Sequence, residues 1–146
     1  MSQRLNMAKS APEAYKAMIA LDATMGASSL SNIQKELIKI RASQINACAF
    51  CIDMHTKDAL KYGETPQRIF LLNAWWETTL YTDEEKVLLK MTEEITKISE
   101  NGLTEETYQN ALKLFTEQQI GEIIMAITII NAWNRIGIST HLQLPK

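Results

Sequence analysis

Residues 36–59 read E-L-I-K-I-R-A-S-Q-I-N-A-C-A-F-C-I-D-M-H-T-K-D-A and contain both cysteines of the chain. On a helix, Cys48, Cys51 and His55 stand at positions i, i+3 and i+7, so their side chains project from one face. Two thiols at that spacing can form a disulfide with little movement of the backbone. A histidine one turn further on can transfer protons near neutral pH. The segment therefore predicts a redox site, or alternatively a metal site, on a helix.

Helical periodicity extends from this segment over nearly the whole chain. Start and stop signals predict about seven helices, over residues 11–25, 31–46, 48–62, 65–73, 83–101, 104–115 and 117–136. Ser10, Ser31 and Asp83 are candidate caps for three of them. The last helix is apolar almost all round over residues 120–133, which predicts burial in the core or between subunits. No segment alternates like a β-strand, so the expected fold is all-α.

Length, composition and charge limit the class of protein. The chain has 146 residues, 46% of them hydrophobic, which predicts a single domain over residues 1–146. The net charge is −2 with both signs scattered, so we expect no nucleic-acid partner. The longest apolar run, residues 123–130, is too short to span a membrane, and the N-terminal residues lack the apolar core of a signal peptide. We therefore expect a cytoplasmic protein, in which a cysteine pair is catalytic or metal-binding rather than a structural disulfide.

The reactive form of a cysteine is the thiolate, which a helix N-terminus and a neighbouring proton acceptor both favour. Cys51 is closer than Cys48 to His55, so Cys51 is the candidate nucleophile, and Cys48 would resolve its sulfenic acid by forming the disulfide. Glu36 lies on the apolar stripe of the preceding helix, where we expect burial to raise its pKa and suit it to proton relay. A turn near Asn46 would bring this carboxyl group to the cysteines.

Together, Glu36, Cys48, Cys51 and His55 match the E-x11-C-x-x-C-x3-H signature of the alkylhydroperoxidase D-like (AhpD-like) branch of the carboxymuconolactone decarboxylase superfamily. The segment quoted above resembles that family throughout, and so does the C-terminal stretch N-A-W-N-R-I-G-I-S-T-H. The resemblance covers residues 11–141. Phe50 is a departure, because some members have a second histidine there, and the proton relay is correspondingly smaller.

The resemblance implies a peroxidase that reduces organic hydroperoxides through a dithiol–disulfide cycle. By position, Cys51 would be the peroxidatic thiol, Cys48 the resolving thiol, and Glu36 and His55 the proton relay. The resemblance also implies an all-α homo-oligomer, a trimer or hexamer, without metal or flavin. An external dithiol donor, dihydrolipoamide-bearing or thioredoxin-like, would reduce the disulfide.

Other interpretations of the same residues stay open. Zinc could be bound by Cys48, Cys51, His55 and a fourth ligand, either Glu36 or His141, although structural zinc sites usually use two separated pairs. The cysteines could also be two buried apolar thiols. The protein could be a redox sensor or scaffold, or a lactone decarboxylase of the same superfamily, an activity that needs no cysteine pair.

Several large apolar residues have no assigned chemistry. The tryptophans at positions 75, 76 and 133 are expected to be anchors of the core or of a subunit interface. Tyr15, Met18, Phe70 and Leu71 could line a substrate pocket, but the sequence does not place them in one.

Overall fold

The computed structural model describes residues 2–145, and these residues form eight α-helices and no β-strand. Two short 3₁₀ helices, Thr24–Ala27 and Leu72–Glu77, complete the regular structure. The all-α prediction is confirmed, with one additional single-turn helix near the N-terminus. In chain order the helices are α1 (Met7–Ser10), α2 (Pro12–Ala23), α3 (Asn32–Asn46), α4 (Ala49–Lys61), α5 (Pro66–Leu71), α6 (Asp83–Thr96), α7 (Glu105–Leu114) and α8 (Glu117–Thr140).

Side-chain caps explain where most of the helices begin. Ser31 caps α3 as predicted, because its hydroxyl accepts the backbone N–H three residues further on. The cap of α6 is Thr82 rather than Asp83, since Thr82 has the extended backbone and the accepting hydroxyl, and Asp83 is already helical. Ser10 is wrong as the cap of α2: it ends α1, and Ala11 precedes α2 without a side-chain cap.

Two helix ends differ from the prediction. α8 continues to Thr140, and it ends there because His141 adopts the left-handed conformation at φ 54° and ψ 53°. α6 ends earlier than predicted, at Thr96, because Lys97 leaves the helical region at φ −95° and ψ 43°. The Asn101-Gly102 stop therefore follows a turn and not a helix.

α8 is the central helix of the core, as its apolar sequence predicted. It packs mainly against α3 and α6, and it also contacts α4 and α7. By length and composition it could cross a membrane, but half of its apolar window is buried in this fold and it carries the buried amides Asn131 and Asn134. The side chains that fill the core between α3, α6 and α8 are fully or almost fully buried: Leu37, Ile38, Ile40, Leu88, Leu89, Met91, Ile123, Ile127 and Ile130.

A sharp reversal between α3 and α4 creates the site. α3 ends at Asn46, where a break was predicted, Ala47 is left-handed (φ 57°, ψ 40°), and Cys48 is extended. A left-handed non-glycine residue costs roughly 1–2 kcal/mol, and the Ala47 and Cys48 N–H groups offset this by donating to carbonyls of α3. The two helices then pack side by side, so that residues of α3 and α4 face each other.

The residues before α1 and helix α2 contact α8. Neither α1 nor α2 contains a buried residue. Tyr15 of α2 packs edge-to-face on Trp133 with 5.7 Å between ring centroids, and the Arg4 N–H donates to the Thr140 carbonyl at 2.9 Å. Tyr15 and Asp22 of α2 also line one side of a cavity that Cys51 lines.

Candidate redox site

Cys48 and Cys51 are joined in a disulfide, with their Cα atoms 5.4 Å apart. Cys48 is the N-cap residue of α4 and Cys51 lies in its first turn, so Cys48 stands just outside the helix in which the sequence placed it. Both residues are buried, with 1% and 3% of their surfaces exposed. The first turn contains no acidic residue. The positive end of the helix dipole therefore faces the sulfur atoms unopposed, which favours a thiolate.

Gly137 of α8 makes room for the two sulfur atoms. A methyl group at this position would lie 3.4 Å from the Sγ of Cys48 and 3.8 Å from the Sγ of Cys51, at the limit of van der Waals contact. A larger side chain would occupy the space of the sulfurs. Gly137 thus forms one wall of the cysteine pair, a role that nothing in the local sequence of a long helix could have indicated.

Glu36 of α3 holds His55 of α4. Nδ1 of His55 lies 2.8 Å from Oε2 of Glu36, and both side chains are buried. An ionised carboxylate can only accept a hydrogen bond, so we assign the imidazole proton to Nδ1, which leaves Nε2 as an acceptor. The structure therefore brings together the two residues that the spacing suggested, with one imidazole nitrogen available to a thiol proton.

The predicted rise in the pKa of Glu36 is wrong, because the pKa is lowered in the folded protein. Burial is the largest single influence and does raise the pKa, but the hydrogen bonds and charges of His55 and Lys39 together outweigh it. The Nζ of Lys39 lies 2.9 Å from Oε1 of Glu36. Glu36 is therefore a carboxylate at neutral pH. In this form it can accept the Nδ1–H of His55, orient the ring and stabilise an imidazolium.

Cys51 and His55 line a cavity of about 280 Å³ between α2, α3, α4 and α8, whereas Cys48 is not among the described residues that line it. Asp22, Lys35 and Lys39 supply the charged groups of the wall. The rest of the wall is mostly aromatic and aliphatic: Tyr15, Met25, Phe50, Met54, Ala126, Ile129, Ile130, Trp133, Ile136 and Leu142. A cavity of this size and polarity fits a small, mainly apolar molecule. A larger open groove of about 560 Å³ between α6 and α7 is polar and contains no residue of the cysteine site.

The apolar residues left without a role lie in different places. Tyr15 lines the cavity beside Cys51, while Met18 lies in a separate groove against α1. Phe70 is on the surface of α5 with 77% of its area exposed. Trp133 packs against the core, as an anchor was expected to do, and also forms part of the cavity wall. The sequence did not predict this position in the cavity wall, because Trp133 is far from the cysteines along the chain.

The arrangement disfavours a metal ion. Ligand atoms of Glu36, His55 and Asp58 lie within 4.8 Å of one another. Each of the two carboxylates is, however, bound by a lysine ammonium group, at 2.9 and 2.8 Å, which a dication would have to displace. Zinc also binds cysteine as thiolate, and both cysteines are in a disulfide. His141, the other ligand considered, is the C-cap residue of α8.

A buried polar network holds the turn that leads to the cysteines. The side-chain amide of Asn46 donates to the amide oxygens of Asn131 and Asn134, both at 2.9 Å. Asn134 donates to the Ser43 hydroxyl at 2.9 Å, and Asn131 donates to the Thr96 hydroxyl at 3.0 Å. This network ties the end of α3 to α8 and α6, and so fixes the backbone on which the cysteines stand.

The fold and the four-residue signature define a family. The sequence model of the carboxymuconolactone decarboxylase family matches residues 12–94, more than half of the chain. The chain therefore belongs to the carboxymuconolactone decarboxylase family, and within it to the AhpD-like branch.

Relatives match the chain over nearly its whole length. It is 45% identical over 139 residues to YdfG of Bacillus subtilis strain 168, an uncharacterised protein, with 95% of both chains covered. Its structure is similar to that of ATU0492 from Agrobacterium tumefaciens, a protein of unknown function described as a candidate antioxidant defence protein AhpD, with 40% identity, a TM-score of 0.95 and 99% of both chains covered. An uncharacterised peroxidase-related protein with an AhpD core from Ralstonia eutropha JMP134 shares the fold at 15% identity, with a TM-score of 0.83 over 96% of this chain and 75% of its own. The predicted family and fold are confirmed.

Proposed function

We propose that the protein is a thiol-dependent peroxidase that reduces organic hydroperoxides. The observation that carries this proposal is the asymmetry of the disulfide: Cys51 opens on the apolar cavity beside His55, and Cys48 does not. A hydroperoxide in the cavity would therefore meet one sulfur and one imidazole. The similarity to a candidate antioxidant defence protein supports the same activity.

The first half-reaction takes place at Cys51 in the dithiol form. Nε2 of His55 accepts the thiol proton, and Glu36 stabilises the imidazolium through its hydrogen bond with Nδ1. The thiolate attacks the outer oxygen of the hydroperoxide, so that an S–O bond forms and the O–O bond breaks. The imidazolium returns its proton to the departing alkoxide, which leaves as the alcohol. Cys51 is then a sulfenic acid, oxidised by two electrons.

The second half-reaction restores the dithiol. Cys48 attacks the sulfur of the Cys51 sulfenic acid, and the hydroxyl group leaves as water with the proton of the Cys48 thiol. The disulfide between Cys48 and Cys51 corresponds to this oxidised product. An external dithiol, dihydrolipoamide-bearing or thioredoxin-like, supplies two electrons and two protons and itself becomes a disulfide. The cycle uses no metal or flavin.

The test is turnover of cumene hydroperoxide by wild type, Cys51→Ser and Cys48→Ser with dihydrolipoamide, thioredoxin or glutathione as donor. We expect wild type to turn over repeatedly with a dithiol donor and Cys51→Ser to be inactive. Cys48→Ser should be oxidised at Cys51 to a sulfenic acid, detected by mass spectrometry as one added oxygen. Wild-type turnover by Cys51→Ser would contradict the proposal.

The same assay separates the other functions considered. A redox sensor or scaffold would be oxidised once and would then stop with every donor. A lactone decarboxylase would act on a lactone, and its activity would survive both cysteine substitutions because it involves no thiol chemistry. Either result would replace the peroxidase proposal.

We further propose that the peroxidase is a single-domain, cytoplasmic homo-oligomer, a trimer or hexamer. Large exposed apolar side chains support an interface: Phe70 exposes 77% of its surface and Trp76 exposes 56%. Sedimentation that finds a stable monomer at micromolar concentration would contradict the oligomer. Cell fractionation that finds the protein outside the cytoplasm would contradict the location.

A further inference from the structure

Glu36 binds a second polar side chain besides His55, that of Lys39. Lys39 follows Glu36 by one turn of α3, and its Nζ lies 2.9 Å from Oε1. The two carboxylate oxygens are thus divided, because Oε1 faces Lys39 and Oε2 faces Nδ1 of His55 at 2.8 Å. The Lys39 side chain is 21% exposed and also lines the cavity that contains Cys51. It therefore lies next to the proton-transfer pair and next to the substrate space.

Among the described residues, Lys39 is the one lysine or arginine that forms an ion pair with Glu36. Lys35, one turn earlier on α3, donates to a backbone carbonyl instead. Two more carboxylates face the same region: Asp58 of α4, which has its own lysine, and Asp22 of α2 in the cavity wall. α8 contributes no charged side chain to that wall. In this structure the ammonium group of Lys39 is thus the one paired with Glu36, and that of Lys35 is engaged elsewhere.

We propose that Lys39 is a positioning residue of the peroxidase site, whose ammonium group keeps Glu36 ionised and oriented so that Oε2 accepts the Nδ1–H of His55. The catalytic consequence rests on the proposed function: with the proton on Nδ1, Nε2 can accept the proton of Cys51. Lys39 acts through Glu36, and the mechanism requires no contact between Lys39 and the substrate.

The physical reason is the protonation state of a buried carboxyl group. Without the ammonium group, Glu36 keeps only the hydrogen bond from His55, and burial then favours its neutral form at higher pH. A protonated Glu36 has an O–H that donates to Nδ1, which moves the imidazole proton to Nε2. Nε2 is then a donor and no longer accepts the thiol proton. The effect should therefore be strongest in mildly acidic solution.

The first test is the tautomer of His55, measured by nitrogen NMR on labelled protein between about pH 5 and pH 8. The chain has two histidines, so a His141→Gln variant assigns the signals. Wild type and Lys39→Arg should keep the proton on Nδ1 across this range. In Lys39→Met, and in Lys39→Gln as a second variant, a neutral imidazole with a proton on Nε2 and none on Nδ1 should appear as the pH falls; nitrogen shifts distinguish this form from the imidazolium, which carries both protons. This measurement requires no peroxidase activity.

The second test is the pH dependence of single-turnover oxidation of the reduced protein by cumene hydroperoxide. The acid limb of Lys39→Met should move up by about one pH unit, a tenfold loss of rate on that limb, because a charge-assisted hydrogen bond is lost. Lys39→Arg should restore the wild-type profile. Lys57→Met is the matched control, since the ammonium of Lys57 binds Asp53 at 2.8 Å on the exposed side of α4, and its profile should not change.

A wild-type tautomer and a wild-type pH profile in Lys39→Met would overturn the inference. A failure of Lys39→Arg to restore the tautomer would also overturn it, because the charge would then not be the relevant property. If neither wild type nor any variant reduces hydroperoxides, the proposed function fails. The NMR measurement then still decides whether Lys39 sets the tautomer of His55.

Discussion

Asn134→Ala removes two hydrogen bonds from a deeply buried polar network. Asn134 accepts from the side-chain amide of Asn46 and donates to the hydroxyl of Ser43, both at 2.9 Å. Asn134 and Ser43 are 0% exposed, so water does not readily replace the lost partner. Asn46 keeps its hydrogen bond to Asn131, and the main loss therefore falls on Ser43.

The expected loss of stability follows from these contacts. Each of the two hydrogen bonds contributes about 1 kcal/mol, and a buried hydroxyl that loses its partner adds about 1 kcal/mol. Alanine is the better helix former, which offsets roughly 0.5 kcal/mol of this loss. We therefore expect the free energy of unfolding of Asn134→Ala to be lower than that of wild type by about 2–3 kcal/mol.

Urea unfolding of the oxidised protein, followed by circular dichroism at constant protein concentration, measures this difference. Asn110→Ala is the matched control: Asn110 is also helical, but its side chain accepts a single exposed bond from Lys113. The control undergoes the same change of helix propensity, and its stability should stay within about 0.5 kcal/mol of wild type. A loss below about 1 kcal/mol for Asn134→Ala, with an unchanged m-value, would refute the argument from buried hydrogen bonds.

Three other positions test the site itself. The pKa of Glu36 in the folded protein lies below its ordinary value of 4.5. The stability that the charge of Glu36 contributes is therefore complete above pH 4.5 and is lost as the pH falls through the folded-state pKa. The urea midpoints of wild type and Glu36→Gln should accordingly differ at neutral pH and converge in acid. Gly137→Ala should change the free energy of unfolding by less than about 1 kcal/mol, because the added methyl group only reaches the limit of contact with the sulfurs. Gly137→Leu should lower the free energy of unfolding by about 1–3 kcal/mol, because the larger side chain overpacks the site. Urea unfolding measures both changes. Trp133→Ala should raise the KM for cumene hydroperoxide about tenfold by removing an aromatic part of the cavity wall, and an unchanged KM would exclude Trp133 from substrate contact.

The cysteine site could be predicted from sequence as far as its residues are close in the chain. Cys51 and His55 share one face of α4 because their spacing is helical, and the break after Asn46 indicated that α3 folds back. This reversal predicts that Glu36 approaches α4. In the structure Glu36 binds His55, which is 19 residues further along the chain. Helical spacing and a single turn signal were sufficient for this part of the fold.

The contribution of α8 and the charge state of Glu36 could not be predicted in the same way. Gly137 and Trp133 reach the site only because α8 packs against α3 and α4, and the register of that packing is a tertiary property. The apolar stripe indicated that Glu36 is buried, which is correct, but the direction of its pKa shift depends on where Lys39 and His55 place their nitrogen atoms. Burial and its compensation have opposite signs; the i,i+3 spacing of Glu36 and Lys39 is compatible with an ion pair but does not indicate which effect is larger.

Helix α4 begins differently from several of its neighbours, and the difference bears on the chemistry. Five helices begin after a hydroxyl residue that accepts a backbone N–H of the first turn: Ser31, Thr65, Thr82, Thr104 and Thr116. α4 has Cys48 at this position, and in the disulfide its side chain makes no capping bond. Reduction frees the sulfur, and a Cys48 thiolate at the N-cap can accept such an N–H, as a hydroxyl oxygen does. In the cycle proposed above, the interaction that caps the reduced helix would also stabilise the Cys48 thiolate as its proton passes to the departing water, so the start of α4 and the resolving step would depend on the same group.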